Sequence, residues 1–240
     1  MGILNSLFGK KTKQGAPNPI RETLFGDMPL DQWPRETAAE AFPWSAFVSA
    51  RSHLAAGRPE AATTCWQQIA GSVGLEPRHY LQAWHFLRQY GQQPPSEIAK
   101  RILGVVVEVA MPQGLDLLAT YPDHSARYYN YSGAGVVWEH PDTSLDQAID
   151  QLLTASSQVV AQIGPWEQAR PAPPPHGSVR LSFLTPSGLH FGQGPFEAIS
   201  KDRLGGRVLQ LATLLMKALI AKTNAQPFAG GNAAAPPASA

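Results

Sequence analysis

The chain has 240 residues, enough for one or two domains whose core needs no disulfide or metal staple. Hydrophobic residues make up 43% and charged residues 15%, which excludes a polyelectrolyte chain; 19 Lys+Arg against 18 Asp+Glu leave +1, too balanced for general attraction to nucleic acid or anionic lipid. The single cysteine excludes a disulfide framework and every Cys-rich zinc pattern, and a reducing, cytoplasmic setting is expected.

Residues 1–13 place Ile3, Leu4, Leu7 and Phe8 on one helical face, followed by Lys10, Lys11 and Lys13. The run is too short to span a bilayer and has no secretory cleavage site, so neither export nor membrane contact through residues 1–13 is expected. Met1-Gly2 with Ser6 formally fits N-myristoylation, but the Ala-, Pro- and Gly-rich composition points to a GC-rich bacterial gene, where that modification is not expected. Pro17, Pro19, Pro29 and Pro34 punctuate residues 12–36, which read as an extended linker with Phe25 and Trp33 docking locally. Residues 1–36 are therefore assigned to a flexible N-terminal segment.

Residues 37–93 read as a helical module. Phe47, Ala50 and Leu54 form one stripe of helical period, Ala62, Trp66 and Ile69 a second, and Leu81, Trp84 and Leu87 a third. Gly57-Arg58-Pro59 ends the first helix and starts the second, and a third spans Pro77 to Tyr90. The spacing of Gly57, Ala62 and Trp66 resembles that inside one tetratricopeptide repeat, which implies a helical hairpin; no further copy follows, so a solenoid is not implied. His79 and His85 project from opposite sides of their helix and share no metal. Cys65 beside Trp66 reads as a small apolar core residue.

Residues 94–224 read as an α+β domain. Gly104 to Met111 is a β-branched run ended by Pro112; Gly114 to Tyr121 follows, and Ser125 to Tyr131 with Val136 to His140 make a hairpin around Ser132-Gly133-Ala134. A capped helix runs from Thr143 to Ile163, and the polyproline-like connector Arg170 to Pro175 leads to a second hairpin, Ser178 to Leu184 and Gly188 to Phe191. The last helix covers Arg203 to Lys222, and residues 225–240 are too poor in large apolar side chains to order. Ser125-Ala126-Arg127 and Ser178-Val179-Arg180 recur at the offset of Gly135 and Gly188, as two ββα units side by side would require. The expected fold class is α+β: an N-terminal helical hairpin of three helices in all, then a mainly antiparallel sheet of about six strands with helices on one face. This element order resembles that of type III secretion chaperones, a likeness that implies binding rather than catalysis.

Hydrolase, zincin, phosphate-loop and dinucleotide signatures are absent from the sequence, and Gly192-Gln193-Gly194 reads as a plain turn. Hairpin register, with residue 127 roughly opposite 140, brings Asp123, His124, Glu139 and His140 to one sheet end, a set with the donor types for a divalent metal or acid–base work. Strand alternation puts Arg127, Tyr129 and Tyr131 on one face, with Arg180 and His190 as further candidates for an open, polar sheet surface of hot-spot composition. The expected function is that of a non-enzymatic cytoplasmic adaptor that binds a protein or peptide through the open sheet face or a helix groove, with no cofactor. Self-association as a homodimer is compatible with this reading. The alternative is a metal-dependent or acid–base enzyme built on His124 and His140.

Overall fold

The structure, a computed structural model, describes residues 19–34 and 40–225. The amphipathic start and nearly all of the C-terminal tail considered above lie outside the described residues. After a short helix α1 (Pro19–Glu22) the module consists of α2 (Trp44–Ala55), α3 (Pro59–Gly71) and α4 (Pro77–Gln89), then a one-turn α5 (Ser96–Ala99). Proline occupies the first turn of both α3 and α4, where its missing N–H costs nothing. The strands are β1 (Gly104–Met111), β2 (Gly114–Thr120), β3 (Ala126–Tyr129), β4 (Gly135–Trp138), β5 (Ser178–Thr185) and β6 (Gly188–Pro195), with α6 (Asp146–Gln162), α7 (Phe196–Lys201) and α8 (Gly205–Ala225).

All six strands join one antiparallel sheet in the order β4-β3-β2-β1-β5-β6. The α+β class and the helical N-terminal module are thus as expected. Strand alternation divides the core into two clusters. Val105, Val107, Leu118, Tyr128, Val179, Leu181 and Phe183 point to α6 and α8, which cover one face with Ile149, Leu152, Val208, Leu215 and neighbours. Val106, Leu117, Ala119, Tyr121 and Leu184 point the other way, against Leu24, Phe47, Trp66, Phe86 and Leu87. The second face is therefore covered by the helical module and the segment before it, and the open polar face expected from the sequence does not exist. A module with Trp66, Phe47 and Phe86 fully buried needs an apolar partner, and β1 and β2 supply it.

Three further expectations are corrected. Residues 19–34 are not an extended linker: Leu24 and Phe25 are buried, Arg21 pairs with Glu108 of β1, and the Leu24 carbonyl accepts from the Tyr121 hydroxyl. The two ββα units are not side by side, because β1 and β2 lie between them, although α6 and α8 do pack together on one face. Gly192 and Gly194 lie within β6, not in a turn.

The Pro-rich connector is docked. Arg170 donates from Nε to Asp27 Oδ2 (2.6 Å) and from Nη2 to Glu22, and its guanidinium stacks 4.2 Å from the Phe25 ring centroid. Beneath it, buried Glu108 of β1 receives Arg21 (Nε to Oε1, 2.6 Å) and Arg180 of β5 (Nη1 to Oε2, 3.4 Å), and both arginines also donate to the Pro171 carbonyl. Among the described residues no helix is long and apolar enough to cross a membrane.

Candidate functional site

A groove and a histidine–aspartate cluster meet where the helical module abuts the β3–β4 end of the sheet. The groove has a volume of about 850 Å³. One wall is the segment Leu24–Met28, held against α4 and the end of β2 by three devices. Gly26 has φ +62°, and a Cβ there would stand 2.5 Å from Leu81 Cβ, so only glycine fits. The Met28 N–H donates to Gln82 Oε1 (3.1 Å) while Gln82 Nε2 donates to the Met28 carbonyl (2.8 Å). The Tyr121 hydroxyl donates to the Leu24 carbonyl (2.7 Å), and burial pushes its pKa up, which keeps the proton in that bond.

The aromatic end of the groove is a stack. Trp33 and Trp44 lie 5.1 Å apart at 42°, Phe47 meets Trp33 edge-on, and the Arg78 guanidinium lies 5.3 Å from the Trp44 ring. His79 sits edge-on to Trp44 with both ring nitrogens buried and without a hydrogen-bond partner, and burial lowers its pKa.

The polar end is carried by Arg127 of β3, paired with Ala119 and Val137 in the ladder. Its Nε is buried without a hydrogen-bond partner, and its Nη2 reaches Glu139 Oε1 only at 3.7 Å. The other charges of the lining are engaged: Glu76 pairs with Arg78 at 2.7 Å, and Asp123 Oδ1 accepts the Ser125 N–H (3.0 Å) and hydroxyl (2.7 Å) within its own turn. Arg127 is thus the groove's under-used donor.

Beside it, the expected approach of His124 and His140 is realised, with ring centroids 5.5 Å apart. Their carboxylate partners differ from those expected. Asp123 is spent on its turn and Glu139 faces Arg127, whereas Asp146 and Asp150 rise from the first turns of α6. Asp146 lies 3.1 Å from His140 Nε2 and 3.6 Å from His124 Nδ1, and Asp150 Oδ1 is 3.0 Å from His124 Nε2. The two aspartates stand one helical turn apart, a spacing that puts them on one face directly after His140, and this was the signal available in the sequence. His140 borders the groove and belongs to the cluster at once.

The five surface candidates do not form one surface. Arg127 and Tyr129 face the helical module, while Tyr131 lies beyond the strand and is 54% exposed. Arg180 is buried in the Glu108 network. His190 is fully buried on the opposite face, because it pairs with Phe183, and its Nε2 meets the Ser187 hydroxyl at 3.1 Å. The Arg21–Glu108–Arg180 network left no sequence signal beyond a glutamate inside an apolar strand.

No protein-family model matches the chain, and neither curated proteins nor solved structures give a match.

Proposed function

We propose that the protein is a binding protein whose groove takes an extended peptide segment of a partner, with an apolar side chain on Trp33 and Trp44 and a carboxylate on Arg127. The observation that carries this reading is that Arg127, whose Nε has no partner and whose Nη2 meets Glu139 only at 3.7 Å, lines a groove that also holds two tryptophans. Trp and Arg are enriched at binding hot spots because they combine large buried area with directional donors. The volume, about 850 Å³, suits a few side chains rather than a folded domain. The partner is thus read by the groove, and the sheet face has no part in recognition.

The test is to pan a displayed random-peptide library against the full chain and titrate the enriched sequences as synthetic peptides, read by tryptophan fluorescence. Enriched peptides should pair an apolar residue with Asp or Glu, and Arg127→Ala should weaken them roughly tenfold or more at unchanged melting temperature. Equal affinity for wild type and Arg127→Ala, or no enrichment, would contradict the reading. A second reading, an acid–base or metal-dependent enzyme, is favoured by the position of His140 in both groove and cluster. Mass spectrometry of the recovered peptides separates the two, since an enzyme returns them altered and a binding protein returns them intact.

A further inference from the structure

We infer that His124, His140 and Asp146 form a binding site for a borderline transition-metal cation of the Zn²⁺ class, with Asp150 orienting His124 from behind. The inference rests on no part of the peptide reading. Three residues from separate parts of the chain, the β2–β3 turn, the end of β4 and the start of α6, offer ligand atoms that all lie within 4.8 Å of one another. In a tetrahedral zinc site with bonds of about 2.1 Å, neighbouring ligand atoms stand about 3.4 Å apart. The separations from Asp146 to His140 and His124, 3.1 Å and 3.6 Å, bracket that value, and the two imidazoles need only close in on a cation held at Asp146.

The tautomers favour it as well. When Asp150, 3.0 Å from His124 Nε2, accepts a hydrogen bond from that nitrogen, Nδ1 on the other side of the ring faces Asp146 and is left as the ligand atom. Two imidazoles and one carboxylate are also a donor set that selects zinc-like ions over Mg²⁺ or Ca²⁺, which prefer all-oxygen shells.

The turn sets the direction of the His124 side chain. Among the described residues, His124 is the one non-glycine with positive φ, at 61°. The turn closes around it, with the Tyr121 N–H donating to Ser125 O (3.0 Å) and the His124 N–H to Tyr121 O (3.1 Å). This left-handed conformation, which histidine adopts more readily than most side chains, places the imidazole beside Asp146 and Asp150 of α6. A helix-terminal role accounts for Asp146 alone and leaves the convergence of both histidines unexplained. Three protein ligands leave a fourth position free for water or for a group in the adjoining groove.

The test is calorimetric titration of the chelator-treated full chain with Zn²⁺ alone, together with Co²⁺ substitution read by visible absorption. One ion per chain should bind, Co²⁺ should give the intense visible bands of a four-coordinate site, and Zn²⁺ should raise the melting temperature. His124→Asn, chosen because asparagine tolerates the left-handed backbone, and Asp146→Asn should each weaken Zn²⁺ at least about tenfold with circular dichroism unchanged. Asp150→Asn should weaken it by about tenfold through the orienting hydrogen bond. Absence of a one-to-one binding event in wild type would overturn the proposal, as would undiminished affinity in both His124→Asn and Asp146→Asn. The wild-type thermal shift and Co²⁺ spectrum decide the matter even if a variant fails to fold. Peptide binding that persists in chelator would leave the metal result standing on its own.

Discussion

At the scale of single residues the most consequential group is Glu108, a fully buried carboxylate in the central strand β1. It holds Arg21 and Arg180 and so ties the N-terminal segment to two strands at once. Removing one member of a buried ion network leaves the others desolvated and unpaired, which typically costs about 3–5 kcal/mol. Glu108→Ala should therefore lower unfolding free energy by about that amount in urea titrations, far more than loss of an exposed glutamate. A second prediction concerns Gly135: a Cβ there would lie 2.2 Å from the Tyr129 ring and 2.6 Å from the Tyr128 carbonyl. Because the latter is backbone, the hairpin must shift, and Gly135→Ala should destabilise by about 1–3 kcal/mol. Glu108 stood out in the sequence only as a charge amid valines. Its partners could not be read there, since Arg21 is 87 residues away and the contact exists only because the module folds over the sheet.

At the scale of elements, β1 was the most legible: a run of β-branched residues bounded by Gly104 and Met111 is a strand on any face, and it pairs with both β2 and β5. Val107 points into the cluster beneath α6 and α8, so Val107→Asp should abolish cooperative unfolding by burying an unpaired carboxylate. A soluble, cooperative variant would mean that the strand's inward face is misassigned. The β3–β4 hairpin was legible in existence but not in register. Arg127 pairs with Val137 rather than lying near 140, because the Asn130 side chain accepts from the N–H groups of Ser132 and Ala134 and closes the loop early. The histidines still converge, since β4 ends at Trp138 and the chain then turns back toward α6. The local docking of Phe25 was legible, but the prolines of residues 19–34 read as a linker and hid that Leu24 and Arg21 anchor the segment as well. Limited proteolysis should therefore spare residues 19–34 in the native protein and release them when Glu108→Ala removes their anchor.

At the scale of the molecule the sheet is a middle layer, with the helical module on one side and α6 with α8 on the other. The sequence pattern showed β1 to be a continuous apolar run, as a strand covered on both faces requires, and the helical stripes of the module showed an apolar face needing cover. What it did not show is that the two needs are met by each other, a long-range fact of packing. Burial between the layers also predicts a pH response. His79 and His190 are buried and held below the usual imidazole value of 6.5, chiefly by desolvation, with Arg78 adding to the effect on His79 and opposed by Glu76, and Lys100 adding to that on His190. A depressed folded-state pKa means that the unfolded chain takes up protons first. Their contribution to stability is then complete above pH 6.5 and is lost as pH falls toward the depressed folded values. Urea midpoints should drop on acidification from neutral pH through this window, and His79→Leu should flatten that slope.

The central claim, that the groove at the junction of module and sheet end is where the protein meets its partner, is tested most directly by nuclear magnetic resonance. An enriched peptide would be titrated into isotope-labelled full-length protein. Shifts should concentrate on the indole N–H signals of Trp33 and Trp44, the Nε–H of Arg127 and the amides of Gly26 to Met28. Shifts centred instead on the exposed edge around Tyr131 and Val137, with the groove signals unmoved, would contradict the account.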